Sequence, residues 1–95
     1  MAVGEIFDAV PVAVDNNATL NIQPAGTAEA VIHNIYTGSG SCELYKYDGT
    51  TLSKIDTASG WLGYAFHARN ACYLQVKNIS GGSLNISFDG IYTKA

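Results

Sequence analysis

Apolar and polar positions alternate along this chain in short runs, and turn residues punctuate the runs at nearly regular intervals. The runs are Val10-Val14, Ala18-Ile22, Ala30-Tyr36, Cys42-Tyr47, Leu52-Ile55, Tyr64-Ala68, Cys72-Val76 and Leu84-Phe88. A period of two belongs to a half-buried strand, and eight such runs about 8–12 residues apart predict an all-β sandwich or barrel. No stretch of ten or more residues carries a 3.6-residue period, so no helix is expected. The expected architecture is one domain over residues 1–95, a small antiparallel β-sandwich, jelly-roll-like, with about eight short strands.

The runs differ in what they expose. Glu5 to Val14 alternates around Phe7, Val10, Val12 and Val14, but Pro11 has no N–H to give a ladder. Residues 1–14 therefore read as an edge strand or an extended N-terminal arm. Ala30-Tyr36 is apolar on both parities, with His33 in phase with Val31 and Ile35. Such a strand is central, or turns its outer face to another subunit. Asp48-Gly49 between alternating runs predicts a tight hairpin. Asp56-Gly60 reads as a polar loop with Trp61 in its glycine-flanked continuation, and Ser80-Gly81-Gly82 as the turn of a final hairpin. Asp89-Gly90 reads as a glycine bulge in the last strand.

Composition adds a constraint on association. A chain of 95 residues has one core and little margin. With 47% hydrophobic and only 14% charged residues, an oligomer is an economical source of further burial. The net charge is −3, and Lys46, Lys54, Arg69, Lys77 and Lys94 are dispersed. Nucleic-acid binding needs clustered cations, and an electrostatic membrane anchor needs them too, so neither partner is expected. No apolar run approaches the ~20 residues of a membrane span. The start, Met1-Ala2-Val3-Gly4-Glu5, has neither the basic nor the apolar part of a secretory signal, so synthesis in a cytoplasm is expected.

Reactive side chains do not cluster. Cys42 and Cys72 fall in phase with apolar neighbours and read as buried thiols, or as a disulfide between facing sheets. His33 and His67 read as structural or interface histidines, since no local nucleophile motif accompanies them. The acids are scattered, at least three of them in turns. No catalytic residue, metal site or cofactor is expected, and the chain reads as a non-enzyme. The aromatics are the better lead: Tyr45 and Tyr47 share a face opposite Cys42 and Leu44, Tyr73 lies beside Gln75 and Lys77, and Trp61 sits between glycines. Such side chains anchor protein interfaces or stack on sugar rings.

Leu20-Asn21-Ile22-Gln23-Pro24-Ala25-Gly26, followed by Val31-Ile32-His33-Asn34-Ile35-Tyr36, resembles the small virion proteins of tailed bacteriophages. The likeness runs on through Glu43-Leu44-Tyr45-Lys46-Tyr47-Asp48-Gly49, Tyr73-Leu74-Gln75-Val76-Lys77-Asn78 and Phe88-Asp89-Gly90. The resemblance implies a β-sandwich that decorates or cements the capsid, or is attached to the tail. It implies a virion location on the capsid surface after synthesis in the bacterial host. The implied partners are the major capsid protein or another virion protein, and further copies of the chain in a small homo-oligomer such as a trimer. The interface candidates are then Phe7, Val10, Val12, Val31, His33, Ile35, Tyr45, Tyr47, Trp61 and Tyr73. The alternative is a carbohydrate- or receptor-binding module on a phage tail or fibre, stacking sugars on Tyr45, Tyr47, Trp61 and Tyr73.

Overall fold

The computed structural model describes residues 2–95; Met1, part of the expected arm, lies outside the described residues. Eight strands follow one another: β1 (Ile6–Val14), β2 (Thr19–Ile22), β3 (Glu29–Tyr36), β4 (Cys42–Tyr47), β5 (Leu52–Ala58), β6 (Trp61–Arg69), β7 (Tyr73–Asn78) and β8 (Leu84–Lys94). Each alternating run of the sequence overlaps one of them, Ala18 and Cys72 lying just before β2 and β7. They form two four-stranded sheets, ordered β1-β8-β3-β6 and β2-β7-β4-β5, with every neighbouring pair antiparallel. Apart from β4 and β5, consecutive strands alternate between sheets. That interleaving is the eight-stranded jelly roll.

The inner faces meet in one core: Val14, Ile22, Ile32, Ile35, Cys42, Leu44, Trp61, Leu74, Val76, Ile86 and Phe88 are all buried. Phe7 closes one side of it, its ring centroid 5.0 Å from those of both Phe88 and Tyr92. Strand β5 adds little, since its residues are exposed up to the half-buried Ala58.

Four local expectations are corrected. Ser80-Gly82 does not turn a hairpin, because β7 and β8 belong to different sheets and the segment crosses between them. Cys72 lies just before β7, in an isolated bridge with Arg69, and is half-buried rather than enclosed. Asp56 and Thr57 continue β5, while Trp61 opens β6 and points inward, 1% exposed, where a loop was expected. The bulge expected at Asp89-Gly90 sits on the facing strand. Ile32 pairs with Gly90 and Asn34 with Asp89, so His33 is the extra residue.

That bulge explains the two-sided pattern of β3. The buried positions are Ala30, Ile32 and then Ile35, a phase slip of one residue at His33. Val31 and Ile35, expected to share a face, therefore point oppositely. Gly90 is required opposite, because a Cβ there would strike the Val31 carbonyl oxygen and come within 2.8 Å of the Ile32 Cα.

Candidate interaction surfaces

The register of the first sheet builds its outer face row by row. Ile6 pairs with Ile91, Ile91 with Val31, and Val31 with His67, giving an apolar row from β1 to β6. The next row is Asp8, Asp89, Asn34 and Leu62. Here Asn34 Nδ2 and the Tyr36 hydroxyl donate to the two carboxylate oxygens of Asp89, at 2.7 and 2.8 Å. Donating to an anion holds the Tyr36 hydroxyl above its ordinary pKa, with partial burial and the Asp89 charge acting the same way. Asn34 Oδ1 accepts the Gly63 N–H at 3.0 Å, tying β6 into the network. Around this polar centre Ile6 is 69% exposed and Leu62 63%, with Tyr36 and Ile91 exposed to lesser degrees. Val10 is 79% exposed at the irregularity that Pro11 introduces between Ala9 and Val12.

The outer face of the second sheet satisfies its polar groups internally, with Leu52 and Ile55 exposed on its edge strand β5. Lys54 Nζ lies 2.8 Å from Glu43 Oε2, and the Tyr45 hydroxyl donates to Glu43 Oε1 at 2.7 Å. These contacts, Lys54 first, hold the Glu43 carboxyl below its ordinary pKa. The same bonds to Glu43 raise Lys54 and Tyr45. Gln75 Nε2 donates to Asn21 Oδ1 at 2.9 Å. Tyr47 and Tyr73 are register partners in an edge-to-face pair, centroids 5.6 Å apart.

The ten interface candidates are thus divided. Val10 and Val31 lie on or beside the outer face of the first sheet, with half-buried His33 at its bulge. Tyr45, Tyr47 and Tyr73 lie together on that of the second. Phe7 turns into the core, Val12 opposes buried Ile86, and Ile35 and Trp61 are enclosed. Trp61 is occupied internally, its Nε1 donating to Asp56 Oδ2 at 3.0 Å, so it is no stacking platform. No group of three or more metal-ligating side chains occurs among the described residues. No helix of the described chain is long and apolar enough to cross a membrane.

Alternation did not single out Leu62 or Ile91: Leu62 stands just before the irregularity of β6, and Ile91 lies beyond the runs that were marked. The signal for Leu62 was Gly63, a mid-strand glycine at φ +75°, the kind of position that marks a bulge and resets the phase. A cavity of about 250 Å³ opens between the sheets, lined by Glu29, Lys46, His67, Arg69 and Cys72 among others. Nothing in the strand pattern pointed to it, because its residues come from five separate segments.

The fold and its surfaces define a small jelly-roll sandwich with apolar side chains exposed on both sheets. No protein-family model matches the chain, and no curated protein matches it.

Proposed function

We propose that this chain is a non-enzymatic structural protein of a bacteriophage virion, a capsid decoration or cement protein that stabilises the head. It docks on the major capsid protein, or another virion protein, through the outer face of its first sheet. The observation that carries this reading is the set of uncovered apolar side chains on the outer face of the first sheet. The second sheet satisfies its polar groups internally and exposes Leu52 and Ile55 on its edge strand, whereas the first leaves Ile6, Leu62, Ile91 and Val10 without cover. Exposed apolar side chains set around a hydrogen-bonded polar centre offer a partner both burial and oriented polar contacts. Jelly rolls recur among capsid and lectin domains alike, so the surface rather than the fold favours attachment. Many copies making modest contacts, each chain in a small homo-oligomer, would resist internal pressure by multivalency.

Deleting residues 2–12 would strip β1 from β8 and uncover Phe88 and Tyr92, so point variants are the sharper test. Ile6→Asp combined with Leu62→Asp should lower occupancy on purified capsids by about tenfold or more, as loss of modest hot-spot contacts does. Thermal stability should stay near that of the parent. Undiminished occupancy would overturn the proposal.

The Tyr47–Tyr73 pair favours a second reading, a sugar-binding module on a tail or fibre. A glycan-array signal abolished by Tyr47→Ala and Tyr45→Ala would establish it in place of the first.

A further inference from the structure

Lys46 lies on the inner side of β4, in phase with buried Cys42 and Leu44. Its ammonium donates across the sandwich to the main-chain oxygen of His67 on β6. The ion pairs among the described residues are Lys54–Glu43 and Lys94–Glu29, so neither Lys46 nor Arg69 has a carboxylate partner. Both line the cavity of about 250 Å³ between the sheets. A neighbouring cavity of similar size shares Glu29 and Arg69 with it and adds Lys94. Three of the five basic residues of an acidic chain therefore gather at one end of the sandwich. The one acid lining either cavity, Glu29, is engaged by Lys94 at 3.7 Å.

Lys46 is half-buried and Arg69 exposed, so both cations stand at the open side of the cavity, where the one peptide carbonyl offers Lys46 a dipole but no counter-charge. An oxyanion in the cavity would accept from Lys46 and, in a forked geometry, from Arg69. The volume is below the ~300 Å³ at which sites for drug-sized ligands begin, so the occupant is small. We propose that this cavity binds a small oxyanion, a carboxylate or a phosphate, held between Lys46 and Arg69. The anion is either a free ion or the carboxylate of a side chain presented by a neighbouring protein.

Cys72 lines the same cavity and reports on it, while Cys42 is fully enclosed and serves as an unreactive internal control. The alkylation rate of Cys72 by anionic iodoacetate, divided by that with neutral iodoacetamide, is measured at low salt and normalised to glutathione. Two cations beside the thiol should raise this ratio by roughly tenfold. Inorganic phosphate should suppress it saturably, beyond the effect of sodium chloride at equal ionic strength. Lys46→Gln and Arg69→Gln should each lower it, and Lys77→Gln, outside the cavity, should not. Competition by acetate and by N-acetylglutamate amide separates the sources. Stronger competition by acetate identifies a free ion, and stronger competition by the amide identifies a protein carboxylate. A normalised ratio near one with no saturable phosphate effect in the unmodified protein overturns the proposal, as does an equal response in Lys77→Gln.

Discussion

Asn78 is one of two buried polar side chains among the described residues, and it joins three backbone segments. Its Nδ2 donates to the carbonyls of Val14 at 2.8 Å and Gly82 at 2.6 Å, while Oδ1 accepts the Ser80 N–H at 2.9 Å. It therefore fixes the end of β1 to the crossover between β7 and β8. Asn78→Ala strands these groups and should cost about 2–3 kcal/mol. In a domain of this size that lowers the melting temperature by roughly 10–20 °C. Asn78→Asp should be at least as damaging, because a carboxylate would face two carbonyl oxygens; calorimetry on both variants checks the order. The Glu43–Lys54 pair makes a different prediction, in pH. The folded-state pKa of Glu43 is depressed, so its contribution is complete above the ordinary value of 4.5 and disappears as pH falls through the lowered value. The stability difference between parent and Glu43→Gln should accordingly be present at neutral pH and vanish in acid. Lys54 is exposed and Glu43 only half-buried, so the difference is small and salt should shrink it. Neither role was legible beforehand: nothing in the strand pattern marks Asn78, and only the fold brings Val14 to it.

At the scale of elements, the strands were legible because alternation is a local property. Their irregularities were not, because a bulge is defined by the strand opposite. Strand β3 shows the difference. Its apolar residues on both parities were visible, yet the cause, His33 standing out of register against Gly90, belongs to the pairing with β8. Likewise Trp61 read as a loop residue because the phase of β6 resets at Gly63, and only burial shows it to be core. The β3–β8 contact makes its own prediction. Gly90→Ala drives a methyl group into the backbone of Val31 and Ile32, where no side chain can yield, and should cost about 1–3 kcal/mol. Gly82→Ala meets nothing within 4 Å and should fall within about 0.5 kcal/mol of the parent. Chemical denaturation of the pair separates a packing requirement from a general intolerance of alanine for glycine.

The whole molecule is where the sequence says least, because sheet order follows no local pattern. Of the six strand pairings only β4–β5 joins consecutive strands, and that hairpin was the one its Asp48-Gly49 turn announced. The others, up to β1 against β8 at the two ends of the chain, depend on which faces find each other after collapse. This topology has a kinetic consequence. Loop closure must precede nearly every stabilising contact, which places the folding of such a domain in milliseconds to seconds rather than microseconds. The β4–β5 hairpin can form early, but β5 contributes almost nothing to the core, so early formation brings little stability. The strands β8 and β3 at the centre of the first sheet carry Ile32, Ile35, Ile86 and Phe88 and should organise the transition state. Ile35→Val and Ile86→Val should therefore slow refolding in stopped-flow measurements, while Leu52→Ala on β5 should leave both limbs of the chevron nearly unchanged. A refolding rate that responded to Leu52→Ala as strongly as to Ile86→Val would place the nucleus at the hairpin, with local order rather than the long-range sheet as the source of the fold.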